Sequence, residues 1–227
     1  MNYDIIKDME KLQEFVEWLP DLMENEKYYL ALFFRKKYFP IIRGDKCQLK
    51  RVTSTKELII SKIKQMECAL GSYKMDDITL PNEGLALYIT PNPRDLELAT
   101  KRTLIEFVNL ITKPYSNYNP QSKAMNEIQK ACSRKIFIDF DFDGIDFFEK
   151  RDIINECLNE EAYEVVKTRG GFHLLVKTES IHPDYKKHFY PKLTKIEGCD
   201  VRGDGLLPVV GCRQGDFIPH FIKKIKN

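Results

Sequence analysis

Residues 135–144 read Lys-Ile-Phe-Ile-Asp-Phe-Asp-Phe-Asp-Gly. A strand is expected over 136–140, and side chains of a strand alternate between its faces. Asp139 and Asp141 then point the same way, with Asp143 following if the strand runs on. Ile138, Phe140 and Phe142 point into a core. Neighbouring carboxylates repel each other, and a hard divalent cation relieves that repulsion. Oxygen donors of this kind suit Mg²⁺ or Mn²⁺. Asp143 lies at the strand exit and is left out of the metal set.

A second feature is Lys167-Thr168-Arg169-Gly170-Gly171-Phe172-His173. The glycines let backbone approach a ligand closely. The Arg-Gly-Gly turn joins expected strands over 164–168 and 172–176 as a hairpin. His173 opens the returning strand, where an imidazole N–H suits a phosphate oxygen. A third feature, residues 198–205, is read as a glycine-rich turn holding Asp200, Arg202 and Asp204. Asp204 is assigned to a tight turn. Asp200 is the candidate third carboxylate.

Four chemistries compete for the acidic strand. One is a plain surface-facing strand edge. A calcium loop starting at Asp139 needs Glu at its twelfth position, which is Lys150 here. A haloacid-dehalogenase-type phosphohydrolase, with Asp139 as nucleophile, wants Thr soon after its second Asp and a long following body. The fourth is two-metal nucleotidyl transfer, in which neighbouring carboxylates hold the divalent ions. A non-catalytic nucleic-acid-binding module is the alternative outside enzymes.

The order Asp-x-Asp, small residue then His, then a lone acid resembles the archaeo-eukaryotic primase (AEP) superfamily, especially its small phage- and plasmid-type primase-polymerases. Residues 136–141 are similar to its first motif, 171–173 to its second and Asp200 to its third. The resemblance covers roughly residues 134–220; residues 87–94 are similar to a further element of phage enzymes. It implies a DNA-directed primase or polymerase that uses Mg²⁺ or Mn²⁺, nucleoside triphosphates and a single-stranded DNA template. Asp139, Asp141 and Asp200 would hold two metals about 4 Å apart. His173 would position the triphosphate, with Arg169 and Arg202 as further nucleotide contacts. A separate replicative helicase is an expected partner. The cytoplasm, of a bacterial host if phage-encoded, is the expected location.

Those residues need elements to hold them. The expected fold is α/β: an N-terminal α/β lobe over 1–120 packed on an RNA-recognition-like, split β-α-β lobe over 121–227 that carries the metals. Apolar spacing predicts helices over 4–18, 55–70, 94–112, 146–159 and 183–193. Strands are expected over 28–39, 48–52, 85–90, 206–210 and 217–222. Residues 113–120 read as a linker. Cations and rings alternate over 33–38, making Arg35 and Lys36 candidates for template contact. Arg94, at an expected helix start where cations are disfavoured, is a third candidate. The basic tail over 223–226 would add weak affinity.

Composition sets wider limits. Charged residues are 31% of the chain and the net charge is only +2, so any nucleic-acid site must be a local patch. No apolar run approaches the ~20 residues of a membrane span. The six cysteines lack the close pairs of a zinc knuckle, so no structural zinc is expected.

Overall fold

The computed structural model describes residues 1–112 and 119–223. The expected first helix begins late. Ile5 and Ile6 are held extended by their amides donating to Glu67 Oε1 at 2.9 and 2.7 Å. Asp8 then caps α1 (Met9–Trp18) by accepting from Lys11 N at 3.1 Å. Next come β1 (Glu26–Arg35), β2 (Lys46–Ser54) and the short α2 (Ile59–Lys64). A small hairpin, β3 (Lys74–Met75) and β4 (Ile78–Thr79), leads to β5 (Leu85–Ile89) and β6 (Arg94–Asp95). Asp95 caps α3 (Leu96–Ile111), accepting from Leu98 N. Arg94 therefore lies in a strand, not at a helix start.

Of the expected linker, 113–118 fall outside the described residues. Asn119 and Pro120 instead form the N-cap and first turn of α4 (Pro120–Lys130). This helix shows only Met125 and Ile128 to the first sheet, too few apolar positions to signal it. The second half contributes β7 (Phe137–Asp143), α5 (Phe147–Asn155) capped by Asp146, β8 (Tyr163–Lys167) and β9 (Gly171–Lys177). The expected helix over 183–193 is split into α6 (Pro183–Lys186) and α7 (Phe189–Leu193). The chain ends with β10 (Cys199–Gly203), β11 (Leu207–Pro208) and β12 (His220–Phe221).

Among the described residues, helices mix with two five-stranded antiparallel sheets, besides the β3–β4 hairpin. One runs β11-β5-β1-β2, with β6 also on β1; the other runs β10-β7-β9-β8-β12. Within the second sheet the order β7-α5-β8-β9-α6/α7-β10 is a β-α-β-β-α-β unit, with β7 and β9 central. Its fourth strand is not the expected segment over 206–210. It is β10, within the segment expected to form a turn. Cys199 and Val201 pack into the core while Asp200 and Arg202 are exposed, so the segment has strand alternation despite its glycines. Leu207 and Pro208 pair with Ile89 and Tyr88 in the first sheet. With α4 also packed on that sheet, the two layers interleave along the chain rather than divide at residue 120.

Phe140, Phe142, Phe172 and Leu174 bury one face of the second sheet against α5 and α7. On its other face, Phe137, Val166 and Leu175 join α1, α2 and the first sheet in the largest core. Two ion pairs tie the layers. Glu26, 2% exposed, accepts from Arg134 Nε at 2.8 Å and Nη2 at 2.7 Å. Arg94, fully buried, pairs with both oxygens of Asp204, 110 residues away. Asn92 completes the cluster by donating to Asp204 Oδ1 and Phe137 O, each at 2.9 Å.

Candidate active site

Strand parity carries directly into the site. Along β7, Asp139, Asp141 and Asp143 leave the face opposite Phe140 and Phe142. Asp141 has a Cα partner on each side: His173 on β9 and Asp200 on β10. The features at 139–143, 171–173 and 200 are thus gathered on three adjacent strands. The turn before β9 is built for close approach. A Cβ on Gly171 would fall 1.8 Å from Phe142 O, so only glycine lets β9 lie against β7 there.

Asp139 is 1% exposed and forms the floor. Its Oδ1 and Oδ2 lie 2.8 and 3.0 Å from His173 Nδ1, so that nitrogen carries a proton and donates. The other ring nitrogen, Nε2, faces Asp141 Oδ1 at 3.5 Å. Burial works against a charged His173. The charge and hydrogen bond of Asp139, with the charge of Asp141, outweigh burial and the opposing Arg202, and the imidazole pKa is raised. Asp139 buried behind His173 is poorly placed as a nucleophile for a ligand in the cleft.

Arg202 closes the group. It is the extra residue of a β-bulge, since Val201 pairs with Phe140 and Gly203 already with Asp139. Bulges re-aim side chains, and here Gly203 has φ +64°. Arg202 Nε donates to Asp141 Oδ2 at 3.1 Å, and Nη2 lies 3.1 Å from Asp200 Oδ2. Among the described residues, no three His, Cys, Asp or Glu side chains are grouped as a metal site. The expected three-carboxylate cage is therefore not assembled in this arrangement: Asp139 faces His173, and Arg202 bridges Asp141 and Asp200. The donors are nevertheless hard oxygens that already hold a cation between them, which is the chemistry a divalent ion needs.

A cleft of about 300 Å³ opens over this group. Asp141, Asp143, His173 and Arg202 line one side, with Thr168 and Gly170. The facing wall carries Phe33, Arg35, Lys37, Lys46 and Tyr88. Phe33 and Tyr88 meet edge to face, 5.6 Å between centroids. Lys46 Nζ sits 5.4 Å from the Phe33 ring, and Arg35 Nη1 donates to the Tyr88 hydroxyl at 3.2 Å. Arg35 Nε is buried and has no partner among the described residues.

Several expected site residues stand elsewhere. Lys36 is exposed and donates to Arg43 O, away from the cleft. Arg169 lies over the Tyr38 ring at 4.8 Å and pairs with Asp216 at 3.1 Å, so its guanidinium is engaged outside the cleft lining. Arg94 and Asp204 are structural: the fully buried guanidinium is held by Asp204, which removes Arg94 from template binding and Asp204 from the role of a mere turn residue. Of the basic tail, 224–226 lie outside the described residues.

Conversely, Lys37, Lys46 and Tyr88 line the cleft without having been singled out, as does Asp143, which the sequence reading leaves out of the metal set. Asp143 was legible from parity alone. The others depend on which sheet meets which. Among the described residues, no helix is long and apolar enough to cross a membrane. Comparison with protein-family models, curated proteins and solved structures finds no match.

Proposed function

We propose that this protein is a template-dependent nucleotidyltransferase of the primase-polymerase type, acting on nucleoside triphosphates along single-stranded DNA. The observation that carries the reading is the cleft lining. Asp141 and His173 stand on paired strands, opposite a wall of rings and cations. Arg35, Lys37, Lys46 and Arg202 outnumber the two lining carboxylates, Asp141 and Asp143, a balance that suits a polyanion beside a cation-seeking floor. The β-α-β-β-α-β sheet beneath, with its acids on the first strand and His on the third, supports the RNA-recognition-like lobe of an AEP-like core.

Each residue has a task in this reading. Asp139 holds the His173 proton on Nδ1 and fixes the ring, leaving Nε2 toward the cleft to donate to a phosphate oxygen once charged. Arg35 and Arg202 offer guanidinium groups to further phosphate oxygens. Phe33 and Tyr88 present ring faces and edges to bases or sugar. Asp141 and Asp200, with Asp139 behind them holding His173, would hold Mg²⁺ or Mn²⁺, which when bound activates a 3′-hydroxyl and neutralises the departing pyrophosphate. The phosphohydrolase alternative is weakened by the burial of its nucleophile, Asp139.

The deciding assay incubates the protein with single-stranded template, labelled nucleotides and Mn²⁺ or Mg²⁺, with and without primer. Products that disappear in Asp139→Ala and Asp141→Ala, while template binding persists, are expected. Phosphate release from simple phosphoesters without polymer would favour the phosphohydrolase. Template binding with neither activity would leave a binding module.

A further inference from the structure

Asp141 and Asp200 are directly opposed on antiparallel strands, where side chains meet at about 5 Å and like charges repel. One guanidinium settles both. Arg202 touches each carboxylate at 3.1 Å, and it does so from a bulge that places it beside them. The same side chain is 47% exposed and lines the cleft, so a ligand entering the cleft can reach it. A divalent cation bound by Asp141 and Asp200 competes for the oxygens that Arg202 now occupies.

We propose that Arg202 is a positioning residue that couples cation binding to nucleotide binding. It neutralises Asp141 and Asp200 in the free protein and transfers to the triphosphate when nucleotide enters, releasing the carboxylates to the metal. This inference rests on the nucleotidyl-transfer reading of the site. The physical logic is linkage. Phosphate oxygens are strong, planar partners for a guanidinium, and a divalent ion is a stronger partner for two carboxylates. Each ligand lowers the cost of admitting the other, so their affinities rise together.

The test measures Mn²⁺ binding by electron paramagnetic resonance without nucleotide, and binding of a fluorescent deoxynucleoside triphosphate at saturating Mn²⁺. It compares the unaltered protein with Arg202→Gln, Arg202→Lys and Asp141→Asn. Two half-exposed ion pairs are removed in Arg202→Gln, so Mn²⁺ should bind roughly five- to thirty-fold more tightly. The same variant should bind nucleotide more weakly. Arg202→Lys keeps the charge but not the fork, and should fall between; it also serves as the test variant if Arg202→Gln unfolds on circular dichroism.

Mn²⁺ affinity unchanged or lower in Arg202→Gln, with Asp141→Asn abolishing binding, overturns the role of Arg202 and leaves the metal site standing. Unchanged nucleotide affinity in Arg202→Gln overturns the transfer to triphosphate. If Asp141→Asn leaves Mn²⁺ binding unaltered, or if none of the proteins binds Mn²⁺, the nucleotidyl-transfer reading itself falls.

Discussion

His173 Nδ1 lies 2.8 Å from Asp139 Oδ1, with both side chains buried between β7 and β9. The pair raises the imidazole pKa above its ordinary value of about 6.5. A raised histidine pKa stabilises the fold below the unfolded value, and that contribution is lost as pH rises through the folded one. In the metal-free protein, the His173 ring should titrate above that ordinary value in nuclear magnetic resonance spectra. Asp139→Asn should lower the midpoint, because burial then meets less opposition. A midpoint at or below the ordinary value in the unaltered protein would sink the assignment.

Among the described residues, Asp141 is the carboxylate that meets both His173 and Arg202. Asp141→Asn should cost more than about a hundredfold in primer extension. Thermal stability should change little, because removing the charge also relieves repulsion from Asp200. Retention of full activity would show that this carboxylate does not hold the reacting ion.

Two adjacent glycines should respond differently. Gly171→Ala puts a methyl group 1.8 Å from Phe142 O, forcing β7 and β9 apart. We expect a loss of about 3 kcal/mol or more in urea denaturation, together with loss of activity. A Cβ on Gly170 meets only the Asp143 side chain at 3.1 Å, which can rotate, so Gly170→Ala should cost under about 1 kcal/mol. Equal losses would contradict the strand contact.

Arg94 and Asp204 bind the layers together and do not line the cleft. Asp204→Ala strands a buried guanidinium and should destabilise by about 3–5 kcal/mol. At temperatures where the variant remains folded, its affinity for single-stranded DNA should match that of the unaltered protein. A selective loss of template affinity without loss of stability would return Arg94 to the nucleic-acid surface.

Glu26 provides an acid-sensitive tie. Burial raises its pKa, but the hydrogen bonds from Arg134 and Met23 N outweigh this and bring it down to about 2. A depressed carboxylate pKa stabilises the fold above its ordinary value of about 4.5, and the contribution fades as pH falls toward 2. Glu26→Gln should therefore narrow the stability difference between pH 7 and pH 3, read from denaturation midpoints. An unchanged difference would show that this pair does not govern acid unfolding.

Local pattern was enough for part of this molecule. The alternation of acids and phenylalanines over 137–143 is a property of one strand, so the shared face of Asp139, Asp141 and Asp143 follows from residue order alone. The Arg-Gly-Gly hairpin and the position of His173 were legible for the same reason. Helix ends were less so: Asp8, Asp95, Asn119 and Asp146 act as caps, and of the helix expected over 55–70 only Ile59–Lys64 is α-helical.

Pairing across the fold required the tertiary structure. Nothing near Arg94 in sequence announces Asp204 as its partner, and burial turned an apparent ligand contact into a structural tie. The glycines around 198–205 hid β10, whose register with β7 is what sets Arg202 between Asp141 and Asp200. Ion pairing depends on distance through space, while periodicity reports only which face a residue takes. The sequence by itself thus determined that acids and a histidine share strand faces. Only the folded sheets decided which of them meet, which cation stands between them, and which wall of rings and charges they confront.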